Sequence, residues 1–549
     1  MPKPTEVEVR VLGVNAIFHD PAAALVVDGR IVAAAEEERF SRRKHGKRPV
    51  PFSAWELPEQ AMAWCLARAG IEAADLDAVA YSYDPDAVVA DGPGQDPQWE
   101  DLRTSYARRA PWFLQTALPG LDASKVVFVR HHVAHAASAA LAGPLGDTAV
   151  IVADGRGECT SHLAGHYSGS KLVELASQAL PHSLGLLYED VTVHLGFQRS
   201  SDEYKVMALA SYGSPRFLPE LERAVHATDD GGFVTEPIDW ARLVPPREAE
   251  QEPTPAHADL AASVQRRVED VLLDLARWTH AETGAANLAL AGGVALNCVA
   301  NTRLHAEGPF QNIWVQPAAG DAGTALGAAL HVAAELGDAP EPMASAALGS
   351  SWSDEAIEAE LERADLPYER PGNLATRVAA ALADDAIIGW FQGPSEFGPR
   401  ALGQRSLLAH PGRAANLDRL NAVKGRERFR PIAPMVLLDR AAAVFSRGPI
   451  PSPYMLFVHD VHPDWQGRLP AVTHVDDTAR IQTVDPAEQP LLGAMLLEFE
   501  RLTELPAVVN TSFNTAGRPM VDSPRDALEC FGSSPIDLLA VGPFTVRRR

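Results

Sequence analysis

The chain has 549 residues, 46% of them hydrophobic and 22% charged, so it is globular and too long for a single core. A formal charge of −24, from 72 acidic against 48 basic residues, repels phosphate backbones and argues against nucleic acid as the main partner. The four cysteines, Cys65, Cys159, Cys298 and Cys530, follow neither metal nor disulfide spacing, which suits a reducing interior. No signal peptide is expected and no apolar run of about 20 residues could cross a bilayer, so a cytoplasmic protein without membrane contact is expected.

In chain order, residues 7–18 begin with alternation and end at His19-Asp20. Residues 22–27, the turn Asp28-Gly29 and residues 31–35 then read as a β-hairpin. Residues 57–69 have helical periodicity, residues 78–83 read as a strand, and residues 84–101, rich in Pro, Gly and Asp, as an irregular excursion. A strand over 126–129 hands over to an alanine-rich helix whose first turn carries His131, His132 and His135. Residues 148–153 repeat the opening plan: a strand ending at Asp154-Gly155, then a hairpin over 162–167 and 172–175. Strand, polar loop and hairpin used twice predict two similar lobes facing a cleft, the layout of the actin-like, ribonuclease H-like nucleotide-binding fold. A helix over 261–282 and a buried strand over 287–291 lead to Gly292-Gly293, and a strand over 313–315 leads to a helix opening around Asp321. Residues 337–353, rich in Ala, Pro, Gly and Ser, mark the expected domain boundary. Beyond it, helices over 354–364 and 374–383 precede expected strands over 386–391, 435–438, 455–458 and 507–509.

Four positions carry the expected metal chemistry. His131 and His135 are four residues apart on a helix and share a face, so both imidazoles can reach one ion. Asp154 and Asp321 each stand where a strand ends beside glycine. Two carboxylates with two imidazoles suit Fe(II), Mn(II) or Zn(II), with coordination positions left for nucleotide phosphates. A zinc-protease motif is excluded because His132 stands where it would need a glutamate. Gly292-Gly293, at a strand end, offers backbone N–H groups to a nucleotide, with Asn297 within reach of it.

Basic residues are concentrated in two places. Residues 42–48 hold six basic side chains in seven positions, including Lys44 and Arg48, and read as a phosphate-facing loop in so acidic a chain. After the boundary, Gln392 to Ser406 carries Arg400 and Arg405 among glycines and prolines, and is followed by Lys424-Gly425-Arg426, Arg430 and Arg480. Guanidinium forks on such turns suit small phosphates or carboxylates. Asn510-Thr511-Ser512-Phe513-Asn514 adds neutral donors of the oxyanion-hole kind.

These motifs, with Asn15 to Ala24, Glu36-Glu37-Glu38-Arg39-Phe40, Glu203-Tyr204-Lys205-Val206-Met207 and Gly398-Pro399-Arg400-Ala401-Leu402-Gly403, resemble the NodU/CmcH carbamoyltransferase family over nearly the whole chain. Members that carbamoylate antibiotics, such as the tobramycin and bleomycin tailoring enzymes, are especially similar. One departure is Asp477, where the family usually has glycine. The resemblance implies an actin-like (ASKHA) domain over 1–345, like the tRNA threonylcarbamoyl transferases, and an α+β YrdC-like domain over 346–549 that makes carbamoyl-adenylate. It implies Fe(II) on His131, His135, Asp154 and Asp321, and nucleotide at Lys44, Arg48, Asp154, Gly155, Gly292, Gly293 and Asn297. Arg400, Lys424, Arg430, Arg480, Asn510 and Ser512 are implied to bind carbamoyl phosphate and ATP, with Mg also admitted. His19 is the expected general base, Asp20 its orienter or a site for acceptor amines, and Asp202 a lesser candidate. The expected reaction is transfer of a carbamoyl group to a hydroxyl, on a sugar or other part of an antibiotic or natural product, with a homodimer as one permitted assembly. The competing class, a regulatory or chaperone-like protein of the actin-like fold, would not need the arginine loops.

Overall fold

The structure is a computed structural model and describes residues 8–46, 56–89, 92 and 97–548. Two five-stranded sheets organise the first two-thirds of the chain. In the first, Arg10–Asn15 pairs antiparallel with Ala22–Val27, which pairs antiparallel with Arg30–Glu36; on its other side Arg10–Asn15 runs parallel to Ala78–Tyr81, and that strand to Val126–Phe128. In the second, Thr148–Ala153 pairs antiparallel with Thr160–Ser168 and that with Lys171–Ala179, while Asn287–Ala291 and Asn312–Val315 follow in parallel. Strand order and direction are the same in both sheets, so the repeat read in the sequence is a repeat of topology, and the fold is the actin-like one.

The central strands are nearly continuous apolar runs because both of their faces are covered. Helices His131–Ala140 and Ala322–Glu335 pack together against these sheets and share one core with them. They approach closely because Gly327 lacks a side chain: a Cβ there would overlap the Ala134 carbonyl. Helix Pro255–Thr283 packs with the second sheet in a further core.

One helix forms where an irregular segment is expected from the sequence. Residues 84–101 were expected to be irregular, yet helix Pro97–Ala117 begins inside that stretch; positions 90, 91 and 93–96 lie outside the described residues. Proline at the first helical position forfeits no hydrogen bond, so a turn-forming residue marks the helix start instead of excluding it. Arg103, Ala107, Ala110 and Leu114 form its buried face.

The later part of the chain builds an eight-stranded mixed sheet of α+β type with a separate core. Ile388–Phe391, Arg405–Ala409, Ala507–Ser512 and Ala433–Leu437 are successive neighbours within it, and helices Leu374–Ala383 and Pro490–Thr503 pack together in the same core. The strand expected over 455–458 does not form. This apolar segment instead docks on helix Cys298–Glu307, where Asn301 Nδ2 donates to the Leu456 carbonyl at 3.0 Å and Thr302 Oγ1 bonds both polar backbone atoms of Val458. Its side chains are buried, and side chains of the first part bond the Leu456 carbonyl and both polar backbone atoms of Val458 in place of a strand partner.

Other contacts stitch the two parts together. Glu36 Oε1 accepts from Gly398 N at 2.8 Å while Arg39 Nη2 donates to the Gly398 carbonyl at 2.9 Å. Arg42 donates to the carbonyls of Met520 and Pro519 and pairs with Asp526, and Lys205 Nζ lies 2.7 Å from Glu427 Oε1. No helix among the described residues is long and apolar enough to cross a membrane.

Candidate functional site

Helix His131–Ala140 starts against strand Thr148–Ala153, and Asp321 begins helix Ala322–Glu335 beside it. This crossing brings His131, His135, Asp154 and Asp321 together, each contributing one ligand atom within 4.8 Å of all the others, and all four buried. His131 Nε2 lies 3.5 Å from Asp154 Oδ2 and 3.7 Å from Asp321 Oδ1; His135 Nε2 lies 3.8 and 3.7 Å from the same atoms. The arrangement fits a divalent metal on donor chemistry. Both Nε2 atoms are buried and have no hydrogen-bond partner among the described residues. His131 Nδ1 faces the Ser82 carbonyl at 3.2 Å, which keeps a proton on Nδ1 and leaves Nε2, aimed at the carboxylates, as the atom where a metal would take the place of a proton. Burial opposes a charge on His131, but Asp154 and Asp321 outweigh it and raise its pKa to about 9, so the pocket calls for a cation.

The sequence reading missed the residues that hold this group. Glu158 Oε1 accepts from the His131 backbone N–H at 2.8 Å, and Thr324 Oγ1 joins the Asp321 carbonyl to Ser82 Oγ. Gly293 N donates to Asp154 Oδ1 at 2.8 Å, so this N–H orients a ligand carboxylate. Gly292 holds φ +90° where a Cβ would overlap the Ala153 carbonyl, and Gly155 leaves open space beside Asp154. Asn297 caps helix Cys298–Glu307: its Oδ1 accepts from Ala300 N and its Nδ2 donates to Gln265.

His19 stands at the mouth of the pocket, partly exposed, with Nε2 3.7 Å from Asp321 Oδ2 and Nδ1 2.9 Å from Asp20 Oδ2. Burial opposes its protonation, and Asp321 and Asp20 overcome this and raise its pKa well above the usual imidazole value; a divalent ion on Asp321 would offset the first of these two pulls and leave Nε2 able to take a proton. Glu189 and Glu203 are near enough for His19 to influence both. Burial pushes both carboxyls up, Glu203 to about 7. Asp202 is engaged elsewhere: its carboxylate meets Lys205 Nζ at 3.0 Å and Gln198 N at 3.0 Å, beside the contact with Glu427.

Three basic side chains in the described part of the basic run, residues 42–46, meet protein groups. Arg42 is spent on the interdomain contacts, Arg43 lies 3.8 Å from Glu56, and His45 Nδ1 is 2.8 Å from Asp20 Oδ1. Lys44 is close enough to Lys424 for their charges to repel, which places it at the edge of the second pocket. Arg48 lies outside the described residues.

That second pocket gathers Arg400, Lys424, Arg426, Arg430 and Arg480. Burial first, and then Arg480, lowers the Arg400 pKa to about 9; burial and Arg430 do the same to Arg426. Lys424 is pushed well below its usual value by burial and by Arg426 and Arg430, and its Nζ donates to Ser512 Oγ, to the Ser512 carbonyl and to Asn514 Oδ1. Arg400 Nε and Arg480 Nε are buried without a partner among the described residues. Cations held against their own repulsion with donors to spare are arranged for a polyanion. Asn510 gives both Nδ2 protons to the protein, to Ala401 O and Gln482 Oε1, and keeps a buried, unpartnered Oδ1. Arg405 is structural, donating to the carbonyls of Gln392, Gly393 and Ser350 over the Phe391 ring.

Two residues that shape this pocket escaped the sequence reading. Glu396 Oε1 accepts from the backbone N–H groups of Leu402, Gln404 and Arg405 and folds the Arg400 loop around one carboxylate. Tyr204, from the first part of the chain, places its ring 4.4 Å under the Arg430 guanidinium. A Glu-Tyr-Lys box remote in sequence gave no sign of that stacking.

Fold and sites together define an actin-like protein with a metal-type ligand set, joined to an α+β unit with an anion-type pocket. Residues 10–92 and 106–330 match the carbamoyltransferase N-terminus and residues 379–548 the carbamoyltransferase C-terminus, so the chain belongs to the carbamoyltransferase family. It is 38% identical to an uncharacterized protein of Synechocystis sp., over 98% of this chain and 96% of that one. It is 39% identical to the nodulation protein NolNO of Sinorhizobium fredii, over 97% of this chain and 80% of that one. Among solved structures, HypF of T. kodakarensis aligns over 60% of this chain and 48% of its own, with 14% identity and a TM-score of 0.38.

Proposed function

We propose that the chain is an ATP-dependent O-carbamoyltransferase in which residues 346–549 make carbamoyl-adenylate and residues 1–345 pass the carbamoyl group to a hydroxyl. The observation that carries this reading is the pairing of two sites of opposite demand: a buried group that calls for a cation and a half-buried pocket that calls for a polyanion. Carbamoyl phosphate and water give carbamate and phosphate; carbamate then displaces pyrophosphate from ATP, which enters with Mg. Arg400, Lys424, Arg430 and Arg480 hold the phosphates, and Ser512 and the free Oδ1 of Asn510 orient the carbamoyl amide. Carbamate is a poor electrophile, and the mixed anhydride with AMP supplies a leaving group. Its lability in water favours the closed seam between the two units.

His131, His135, Asp154 and Asp321 would hold the divalent ion, Fe(II) in our reading with Mn(II) or Zn(II) suited to the same donors, and when bound it supplies positive charge to the nucleotide phosphates. Lys44, near Lys424, and the backbone around Gly155 and Gly292, beside Asp154, are assigned to the nucleotide in this reading. His19, with its proton fixed on Nδ1 by Asp20, takes the hydroxyl proton on Nε2. Glu189 and Glu203 near His19 favour an acceptor that carries an amine, such as an amino-sugar unit of an antibiotic. ATP and carbamoyl phosphate are made in the cytoplasm, which is where this chemistry would run.

The test incubates the purified chain, loaded with Fe(II), with carbamoyl phosphate, ATP and a panel of glucosamine, N-acetylglucosamine and aminoglycosides. Pyrophosphate should appear, and one acceptor should gain about 43 mass units, a carbamoyl group in place of hydrogen. Absence of both pyrophosphate and product would sink the proposal.

A further inference from the structure

Asp20 is gripped from two sides. Its Oδ2 lies 2.9 Å from His19 Nδ1 and its Oδ1 2.8 Å from Nδ1 of His45, a residue 25 positions along the chain. His45 is held in turn, its backbone N–H donating to Glu38 Oε2 at 2.9 Å. Asn15 Nδ2 donates to the carbonyls of both His19 and Asp20, at 2.9 and 3.0 Å.

The backbone shows what this arrangement costs. Phe18, Asp20 and His45 take φ values of +57°, +51° and +60°, a left-handed region that residues with a Cβ enter rarely. Strain of this kind persists where the surroundings over-determine it, and here it occurs on both loops that meet at one carboxylate. The Asp20, Glu38 and His45 ligand atoms also lie within 4.8 Å of one another. Hydrogen bonds inside the trio already use one oxygen of each carboxylate, and Asp20 gives its other oxygen to His19.

A carboxylate bound by a single imidazole is free to turn about its Cβ–Cγ bond. Bound by two, it has one orientation. We propose that His45 is a positioning residue for carbamoyl transfer: acting through Asp20, it keeps the His19 proton on Nδ1 and the Nε2 lone pair toward the reacting hydroxyl. This rests on the reading of His19 as the base. In the step it serves, the acceptor O–H proton passes to His19 Nε2 and the acceptor oxygen bonds to the carbamoyl carbon. The bond from that carbon to the AMP oxygen breaks, and AMP leaves with the electron pair. Asp20 balances the imidazolium charge that results.

His45→Asn keeps a donor at the Nδ1 position and a side chain tolerant of positive φ; His45→Gly keeps the backbone and loses the donor. The full chain, zinc-loaded and labelled with ¹⁵N in its histidine rings, is compared by NMR, with His19→Gln assigning the His19 signals. Wild type and His45→Asn should show His19 protonated on Nδ1 alone, and His45→Gly a mixture of tautomers. With glucosamine as hydroxyl probe, His45→Gly should lower kcat for transfer at least about tenfold while pyrophosphate release persists, and His45→Asn should recover most of that loss. An unchanged His19 tautomer in His45→Gly overturns the proposal. So does an equal change in both variants, which would reduce His45 to loop packing. So does the loss of a second bound zinc in His45→Gly, which would make the trio a metal site. Wild-type transfer by His19→Gln would refute the base reading instead, with the tautomer spectra still judging His45.

Discussion

The two polar sites of this chain, one buried and one half-buried, are built on opposite principles. At His131, His135, Asp154 and Asp321, imidazoles and carboxylates offset one another, and the group sits on strand and helix ends rooted in the two lobe sheets. At Arg400, Lys424, Arg426, Arg430 and Arg480 the charges are all of one sign, and most of the side chains stand on loops. The first site carries two carboxylates against two imidazoles and asks for one small cation. The second holds repulsion that Glu427, 3.6 Å from Arg430, offsets in part and an anionic ligand would relieve further. The loops of the second need anchors, which Glu396, Tyr204 and the Glu36–Arg39 contact with Gly398 provide. A rigid crossing of elements holds a metal-type group without outside help, whereas a like-charged pocket must be clamped from its neighbour.

Four substitutions sharpen or break that contrast. The largest effect is expected for His131→Ala. It should lower metal content and transfer by more than the roughly 10–100-fold that supporting residues cost, while pyrophosphate release continues. Metal analysis beside the two half-reactions checks this, and equal loss of both halves would mean the sites are not separate. Arg39→Ala comes next. It leaves buried Glu36 without its ion partner, and breaking such a pair costs about 3–5 kcal/mol, read as a lower urea midpoint with both half-reactions impaired.

Arg400→Ala should act on the second site alone. Losing a charge-assisted contact worth about 1.5–3 kcal/mol should raise the KM for carbamoyl phosphate about 10- to 100-fold with metal content unchanged. The ligand-free protein should melt no lower than wild type, since a guanidinium repelled by Arg480 has been removed; a clear fall in Tm would show that the pocket is not under like-charge strain. The smallest effect belongs to Asn297→Ala. Loss of this helix cap should cost about 1 kcal/mol by thermal unfolding, and a large rise in KM for ATP would show instead that its amide serves the nucleotide.

Much of the architecture was legible because it is written in local patterns. Apolar runs between polar loops marked the repeated strand–hairpin plan, and the same strand order is found in both sheets. The spacing of His131 and His135 on one helix, and the arginines on glycine-rich turns, were equally plain in the sequence. Helix Pro97–Ala117 was hidden by its own proline start, and residues 455–458 looked like a strand because burial, not pairing, selects their side chains.

By itself the sequence determined which residue types stand at strand ends and turns, since hydrophobic period, glycine and charge act over a few neighbours. Only the tertiary structure decided what those residues do. Arg42 makes a domain contact, Asn297 caps a helix, Gly293 orients Asp154, and His45 grips Asp20. Hydrogen bonds need atoms within about 3 Å and a particular direction, and for residues far apart along the chain only the folded backbone supplies both.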